Sequence, residues 1–140
     1  MKAVDVLSFI DTFAPFSTQA AWDNSGLLLG AADREVTKAL VCLDLTKGAA
    51  EYAVSHGCDL IVSHHPVIFR AIKSVGADSI LWPLIKNDIC VISAHTNLDK
   101  APGGVNDTLC ELLSLDFTKC GDGIGEGFLN VGDFSQAMTP

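Results

Sequence analysis

Three short apolar segments alternate with helical segments along the chain, and this alternation constrains the fold more than any other feature. The segments are "KALVCLDL" (38–45), "DLIVSH" (59–64) and "DICVISAH" (88–95). Strands that alternate with helices form a parallel sheet through right-handed crossovers. Because these strands are almost continuously apolar, helices are expected to cover both faces of the sheet. The sequence therefore predicts an α/β fold with a mostly parallel sheet in three layers.

Two helices are predicted in the first half of the chain. Residues 3–14 place apolar side chains at three-residue steps before Pro15, a pattern typical of an amphipathic helix with a proline stop. Thr46 is a suitable N-cap for a second helix that runs to His56 and ends at Gly57. Each helix is placed next to a predicted strand, as a layered fold requires.

Two further helices are predicted in the second half. Asp78 or Ser79 is a suitable cap for a helix over residues 78–86, provided that Pro83 lies in its first turn or at a kink. The segment "GGVNDTLCELLSL" (103–115) predicts another helix.

Two polar segments are predicted as turns. In "AAWDNSGLLLG" (20–30), Asp23 or Asn24 is expected to close a turn that enters an apolar strand, with Trp22 packed beneath it. A role facing a substrate is the alternative for this turn. The glycine-rich segment "GDGIGEGFLNVG" (121–132) follows a helix and lacks lysine, so a flexible turn is favoured over a phosphate loop.

Length and charge restrict the classes of function. The 140 residues fit one domain, predicted over residues 1–140. A formal net charge of −8 without a cluster of Lys or Arg disfavours nucleic-acid binding. An anionic small molecule remains a possible ligand if a bound cation supplies the attraction.

The pattern of apolar residues argues against a membrane protein. No apolar run approaches the roughly 18 residues that a spanning helix needs, and "MKAVDVLSFID" lacks a secretory pattern, so a cytoplasmic protein is predicted. Five cysteines without a C-x-x-C pair are expected to be reduced, with Cys42 and Cys90 as small apolar residues in strands. A hydrophobic content of 49% suggests that some apolar surface meets a partner.

Reactive side chains fall at the predicted carboxyl ends of the strands. Asp44 ends the first strand, His64 and His65 end the second, and His95 ends the third with Asp99 four residues beyond. Ligands of doubly wound parallel sheets gather at these ends. The sequence therefore predicts one functional site at this edge of the sheet.

The adjacent histidines favour a metal site. Within a strand, His64 and His65 would point to opposite faces and serve two ions side by side; alternatively the chain already turns at His65, before Pro66. A carboxylate such as Asp99 can bridge two cations. His64, His65 and Asp99 are thus predicted as ligands of two divalent ions, with zinc, iron and manganese equally suitable. A hydrogen-bonded structural histidine is the alternative.

Four blocks of the sequence together resemble those of the Nif-three-like family, whose members are often described as GTP cyclohydrolase I type 2 homologues. The blocks are "AAWDNSGLLLG" (20–30), "VSHHPVIF" (62–69), "ISAHTNLDKAPGGVND" (92–107) and "GEGFLNVGDFSQAMT" (125–139). They cover essentially the whole chain in order, and the His-His and H-T-N-L-D blocks are specific to that family.

The resemblance implies a dinuclear metal protein of α/β architecture that assembles into a ring-shaped hexamer. The family's histidine pair matches His64 and His65, its bridging aspartate matches Asp99, and its nearby histidine matches His95. The family's remaining ligands, in an H-x-x-x-E arrangement, belong to a second lobe of longer chains, and no histidine follows His95 here. The chain is thus expected to be one of two lobes, and "TP" at 139–140 is expected to begin a further helix.

Two classes of function follow. The first is a metal-dependent hydrolase of the GTP cyclohydrolase I type 2 kind in its full-length form, acting on a nucleotide or a related small molecule, with His95 as a catalytic proton carrier. The resemblance suggests GTP ring opening as the reaction. The second is a non-catalytic, metal-binding oligomeric scaffold or regulatory protein. Removal of the metal should abolish turnover in the first case and only weaken assembly in the second.

Overall fold

The computed structural model describes residues 1–119 and 127–134. The helices are α1 (Ala3–Phe13), α2 (Lys47–Ser55), α3 (Leu81–Lys86), α4 (Thr96–Lys100) and α5 (Val105–Leu112), with a 3-10 turn at Phe16–Thr18. The strands are β1 (Gly26–Leu29), β2 (Ala39–Cys42), β3 (Leu60–Ser63), β4 (Cys90–Ser93), β5 (Leu115–Lys119) and β6 (Asn130–Phe134).

The main sheet has four strands in the order β1-β4-β3-β2. Strands β2, β3 and β4 are parallel, and Leu60 of β3 pairs with Ala39 on one side and Cys90 on the other. Strand β1 lies at the edge and runs antiparallel to β4. The predicted mostly parallel α/β fold is therefore confirmed, with one antiparallel edge strand added.

The sheet is covered on both faces, which explains why its central strands are almost entirely apolar. Alternate residues of β3 and β4 enter two separate cores. The core on the α1 face contains Ala3, Ile10, Ala14, Leu60, Cys90 and Ile92. The core on the face of α2 and α3 contains Ala50, Ala53, Ile61, Leu84, Ile89 and Val91. These two cores give the three layers that the sequence predicts.

Helix α2 begins and ends as predicted. The Thr46 side chain accepts a hydrogen bond of 3.2 Å from the backbone nitrogen of Ala49, which satisfies one of the free donors of the first turn. Gly57 follows the helix with a φ of 62°, a left-handed conformation that glycine adopts without strain.

The start of α3 differs from the prediction only in part. The helix starts at Leu81, and its N-cap position is Ile80 rather than Asp78 or Ser79. This start places Pro83 in the first turn, where its missing N–H removes no helical hydrogen bond. The Ser79 hydroxyl still accepts a 3.3 Å hydrogen bond from the backbone nitrogen of Leu81, so one of the two predicted capping residues satisfies a donor at this helix start.

The hairpin of β5 and β6 corrects the expectation for the glycine-rich segment. Residues 130–132 of that segment lie in β6, where Val131 pairs with Thr118 of β5. Residues 121–126 and the predicted helix start at 139–140 lie outside the described residues. Helix α4 is also absent from the sequence-based expectations.

Cys42 and Cys90 lie in strands as free thiols, in agreement with the prediction. Within the described part of the chain, the helices are all too short to cross a lipid bilayer.

Candidate metal centre

The chain turns directly after β3, so that both adjacent histidines face the same site. His64 and His65 lie beyond the last strand residue, Ser63, whose hydroxyl donates a 2.9 Å hydrogen bond to the His65 carbonyl oxygen. The His64 and His65 ring centroids are 5.0 Å apart. Of the two alternatives from the sequence, the early turn is the correct one.

His95 completes a cluster of three imidazoles. It follows β4 by two residues, and its ring centroid lies 5.2 Å from that of His64 and 5.5 Å from that of His65. One ring nitrogen from each of the three residues lies within 4.8 Å of the others. The cluster thus joins the carboxyl ends of two neighbouring parallel strands, as expected for this fold.

His64 is fixed between a backbone carbonyl and a carboxylate. Its Nδ1 lies 2.9 Å from the carbonyl oxygen of Ala94, which only accepts hydrogen bonds, so Nδ1 carries the proton. Its Nε2 lies 3.4 Å from Oδ1 of Asp99. The short helix α4 produces this approach, because the backbone nitrogen of Asp99 donates to the carbonyl of His95 one turn earlier.

His65 forms an exposed pair with Asp44. Its Nδ1 lies 2.6 Å from Oδ1 of Asp44, the residue that follows β2 by two positions. The side chains are 47% and 57% exposed. Since an ionised carboxylate only accepts, this contact also places the proton on Nδ1 and leaves Nε2 unused.

His95 forms a buried pair with Asp23. Its Nδ1 lies 2.9 Å from Oδ1 of Asp23, whose side chain has no solvent exposure. The same carboxylate accepts hydrogen bonds from Thr96, from the Ser25 hydroxyl and from the Asn24 backbone nitrogen. Burial acts to raise the pKa of Asp23, but the hydrogen bonds from His95 and Thr96 outweigh it and lower that pKa well below its usual range.

The three histidines share one arrangement. In each, Nδ1 donates to an oxygen of the protein, and Nε2 is the nitrogen with an available lone pair. Oxygen acceptors behind ligand histidines fix the ring orientation and make the ligating nitrogen more basic. The chemistry of this donor set, imidazole with a nearby carboxylate, fits zinc, iron or manganese.

The structure brings His64, His65, His95 and Asp99 to the same edge of the sheet. The fourth histidine, His56, lies apart at the end of α2, where its ring stacks on Tyr52. Substitution of His56 can therefore serve as a control in tests of the cluster.

Sequence reasoning missed the role of Asp23. The residue does contact the backbone of Asn24, as a local turn requires, but it also bonds His95, which is 72 positions further along the chain. The expectation that Trp22 packs beneath the turn is wrong, because its side chain is 58% exposed. An Asp-Asn pair in a turn is a common local pattern, so the sequence carries no separate signal for the long-range contact.

Comparisons with known proteins identify the family of the chain. A family model described as Duf34/NIF3 (NGG1p interacting factor 3) matches residues 1–140. A Clostridium perfringens protein named GTP cyclohydrolase 1 type 2 homolog is 40% identical over 120 residues, which are 83% of this chain and 46% of that protein. A protein of the same name from Staphylococcus aureus is 43% identical over 118 residues, 82% of this chain and 32% of the relative.

A solved structure gives the same result for the fold. Reduced HcgD from Methanocaldococcus jannaschii superposes with a TM-score of 0.85 at 37% sequence identity, over 94% of this chain and 54% of that chain. The present chain spans less than half the length of the two curated relatives from Clostridium perfringens and Staphylococcus aureus. By its sequence over residues 1–140 and by its fold, the chain belongs to the Duf34/NIF3 family.

Proposed function

We propose that this chain binds divalent metal through the cluster and serves a metal-dependent hydrolase that acts on nucleotides or related small molecules. The observation that carries the proposal is the convergence of three imidazoles, each with Nδ1 engaged by an oxygen and with one nitrogen within 4.8 Å of the other two. The name GTP cyclohydrolase 1 type 2 homolog, given to two relatives, supports GTP as the first substrate to test.

The ligand set that we propose contains His64, His65 and Asp99 and accepts two ions. His64 and His65 come from a single turn, and Asp99 approaches the Nε2 atom of His64. A carboxylate with two oxygens is the one group of this set that can bind two cations at once. Asp99 is 19% exposed, so its side chain is not fully buried.

A divalent cation at this place would supply Lewis-acid activation of water and of a substrate oxygen. The contribution of the chain is to orient the donors. The backbone carbonyl of Ala94 and the carboxylates of Asp44 and Asp23 fix the rings before any ligand arrives. Preorganised donors lose little conformational entropy when they bind, which favours affinity.

His95 is proposed as the catalytic proton carrier. Its Nδ1 is bonded to Asp23, so proton transfer would use Nε2. Because the same atom is the only one available for metal, ligation and proton transfer are mutually exclusive for His95. His95→Gln separates the two roles: a fall in kcat with unchanged metal affinity supports the proton carrier, whereas a large fall in metal affinity identifies a ligand.

Metal titration tests the proposed ligand set. Isothermal titration with zinc should show two weakly bound ions for the unaltered chain, because a bridging Asp99 leaves at most two protein ligands for each ion. Asp99→Ala should deplete both ions, and His64→Ala or His65→Ala should deplete mainly one, because only the carboxylate bridges. His56→Ala is the matched control, since it removes an imidazole outside the cluster. Equal losses from all three variants, or one ion in the unaltered chain, would contradict the dinuclear site.

A non-catalytic scaffold is the second candidate, and the exposed apolar residues favour it. Val41 and Leu112 are each 76% exposed and Val131 is 63% exposed, which suits contacts between copies. We propose a homo-oligomer, with the ring-shaped hexamer of the family resemblance as its form. Light scattering and GTP turnover, each with and without a chelator, separate the candidates: an enzyme loses turnover on chelation, and a scaffold changes only its mass.

A further inference from the structure

Two exposed aromatic side chains lie beside the histidine cluster. Trp22 is 58% exposed and Phe69 is 46% exposed, and their ring centroids are 6.0 Å apart at an interplanar angle of 61°. Trp22 also lies 6.3 Å from the His95 ring. The Trp22 indole is thus close to both the Phe69 ring and the His95 ring.

The protein holds this pair in a defined geometry. Trp22 precedes Asp23, whose buried carboxylate bonds His95, so the backbone at the indole is tied to the cluster. The Asn24 side-chain nitrogen donates a 2.6 Å hydrogen bond to the carbonyl oxygen of Ile68, which directly precedes Phe69. The turn that carries Trp22 and the loop that carries Phe69 are therefore connected across 44 positions of sequence.

The exposure of these rings is not explained by packing. Both aromatic side chains leave roughly half of their surface in water, although burial of large aromatic side chains is a main source of folding free energy. Exposed aromatic rings beside a polar cluster supply the flat apolar surface on which planar rings stack.

We propose that Trp22 and Phe69 form a stacking subsite for a planar nitrogen heteroaromatic ring, which places the attached polar groups of that molecule towards the histidine cluster. This inference deepens the proposed function and rests on it for the identity of the site. The ligand is a small molecule rather than a nucleic-acid strand, because the chain has a net charge of −8 and would repel a polyanion.

Fluorescence provides a direct test, since the chain has two tryptophans, Trp22 and Trp82. Trp82 lies on α3 and is 40% exposed. The variant Trp82→Phe retains Trp22 as the only reporter, and Trp22→Phe retains Trp82 as the matched control. Guanosine is the probe because it carries a heteroaromatic ring without a phosphate, and ribose controls for the sugar.

Guanosine should quench Trp22 emission saturably in Trp82→Phe, and ribose should not. In the same background, Phe69→Ala should weaken guanosine binding by about tenfold, the usual scale for loss of one stacking partner. Phe9→Ala, which removes a 67% exposed phenylalanine on α1, should leave the affinity unchanged. Absence of saturable quenching, equal quenching of Trp82, or no effect of Phe69→Ala would overturn the subsite.

Zinc titration of the same variants keeps the two proposals separate. Trp22→Phe and Phe69→Ala should bind zinc as the unaltered chain does. Guanosine binding without zinc binding would overturn the proposed metal centre and support the aromatic subsite. Zinc binding without guanosine binding would overturn the subsite alone. A Trp22→Ala variant that changes the oligomeric mass without any guanosine binding would identify an interface between copies and also overturn it.

Discussion

Carboxylates lie at both ends of the parallel sheet, but their partners differ. At the amino end, Asp59 precedes β3 and accepts hydrogen bonds from the Thr37 hydroxyl at 2.7 Å, the Thr37 backbone nitrogen at 2.8 Å and the Arg34 guanidinium at 3.1 Å. At the carboxyl end, Asp23 and Asp44 accept from imidazole nitrogens. Carboxylates are thus the acceptors at both ends of the sheet, but imidazoles are donors at the carboxyl end and backbone, hydroxyl and guanidinium groups are donors at the amino end.

The difference shows why the carboxyl end is the better suited of the two to metal binding. Backbone N–H, hydroxyl and guanidinium donors stabilise Asp59, and the guanidinium offers no lone pair to a ligand. An imidazole that donates through Nδ1 to a carboxylate still presents a lone pair at Nε2. At the amino end the carboxylate therefore connects parts of the fold, whereas at the carboxyl end carboxylates orient groups that can bind metal.

The largest expected effect is the loss of turnover in Asp23→Ala. Removal of the carboxylate frees the His95 ring to rotate and to change tautomer, so kcat should fall by about 100-fold, the usual scale for loss of a positioned proton carrier. Zinc affinity should change little, because His95 is not in the proposed ligand set. The substitution also leaves the Thr96 and Asn24 backbone nitrogens without their acceptor, so the free energy of unfolding should fall. GTP turnover gives kcat, zinc titration gives the metal affinity, and urea unfolding monitored by circular dichroism gives the stability.

Tautomer spectroscopy controls for a purely structural effect of Asp23. Nitrogen-15 NMR of the metal-free protein should show His95 protonated at Nδ1 in the unaltered chain and a mixture of tautomers in Asp23→Ala. If the variant is folded, turns over GTP at the rate of the unaltered chain and retains the Nδ1-protonated form, Asp23 does not position His95.

Much of the fold was predictable because its signals are local. Apolar runs identify β2, β3 and β4, and Thr46 and Gly57 mark both ends of α2. The β5–β6 hairpin escaped prediction because glycines interrupt its sequence and Val131 and Phe134 are exposed, so the alternation typical of a half-buried strand is weak. The antiparallel direction of β1 depends on tertiary pairing, which no local pattern specifies.

The candidate site was predictable only in part, for a related reason. His64, His65, His95 and Asp99 are adjacent to strand ends, so topology alone predicts their convergence. Asp23 reaches the site from a turn before the edge strand, and its contact with His95 depends on the position of β1 beside β4. Sheet pairing therefore decides whether the Asp23 side chain reaches the histidine cluster. The sequence pattern carries no information on that pairing.

Asp59→Ala should lower the stability of the fold without an effect on the candidate site. Loss of this carboxylate leaves the Thr37 and Lys38 backbone nitrogens unpaired and removes an ion pair whose aspartate side chain is 17% exposed. The expected loss is about 1 to 3 kcal/mol in the free energy of unfolding, measured by urea denaturation. Zinc affinity should stay unchanged, because the residue lies at the other end of the sheet. A matching fall in zinc affinity would contradict the separation of the two ends.

Asp44→Ala tests the difference between the exposed Asp44 and the buried Asp23 at the carboxyl end of the sheet. The Asp44–His65 pair is about half exposed, so water can replace the carboxylate as the acceptor of the Nδ1 proton. We expect a fall of only a few-fold in zinc affinity and a change of at most about 0.5 kcal/mol in stability. A fall in the free energy of unfolding as large as that of Asp23→Ala would show that burial does not determine the importance of these acceptors.

The smallest expected effect is a difference in acid sensitivity between the unaltered chain and Asp59→Asn. The hydrogen bonds from the Thr37 backbone and hydroxyl lower the pKa of Asp59 below its ordinary value of 3.8. Because the folded-state pKa is the lower one, the unfolded chain binds more protons at acid pH. The stabilisation is present above the unfolded pKa and is lost as pH falls from about 4 through the folded pKa.

Asp59→Asn cannot lose a proton in this range, so its free energy of unfolding should fall less steeply with acid than that of the unaltered chain. The difference in slope for one group is at most about 1.4 kcal/mol per pH unit. Urea unfolding at several pH values between about 2 and 6 measures it. Asp107 contributes in the same direction in both proteins, because hydrogen bonds from Asn130 and Gly103 and the nearby Lys119 outweigh its burial and lower its pKa. Subtracting the two profiles therefore isolates Asp59, and parallel profiles would show that its carboxylate is no more acidic in the folded chain than in the unfolded one.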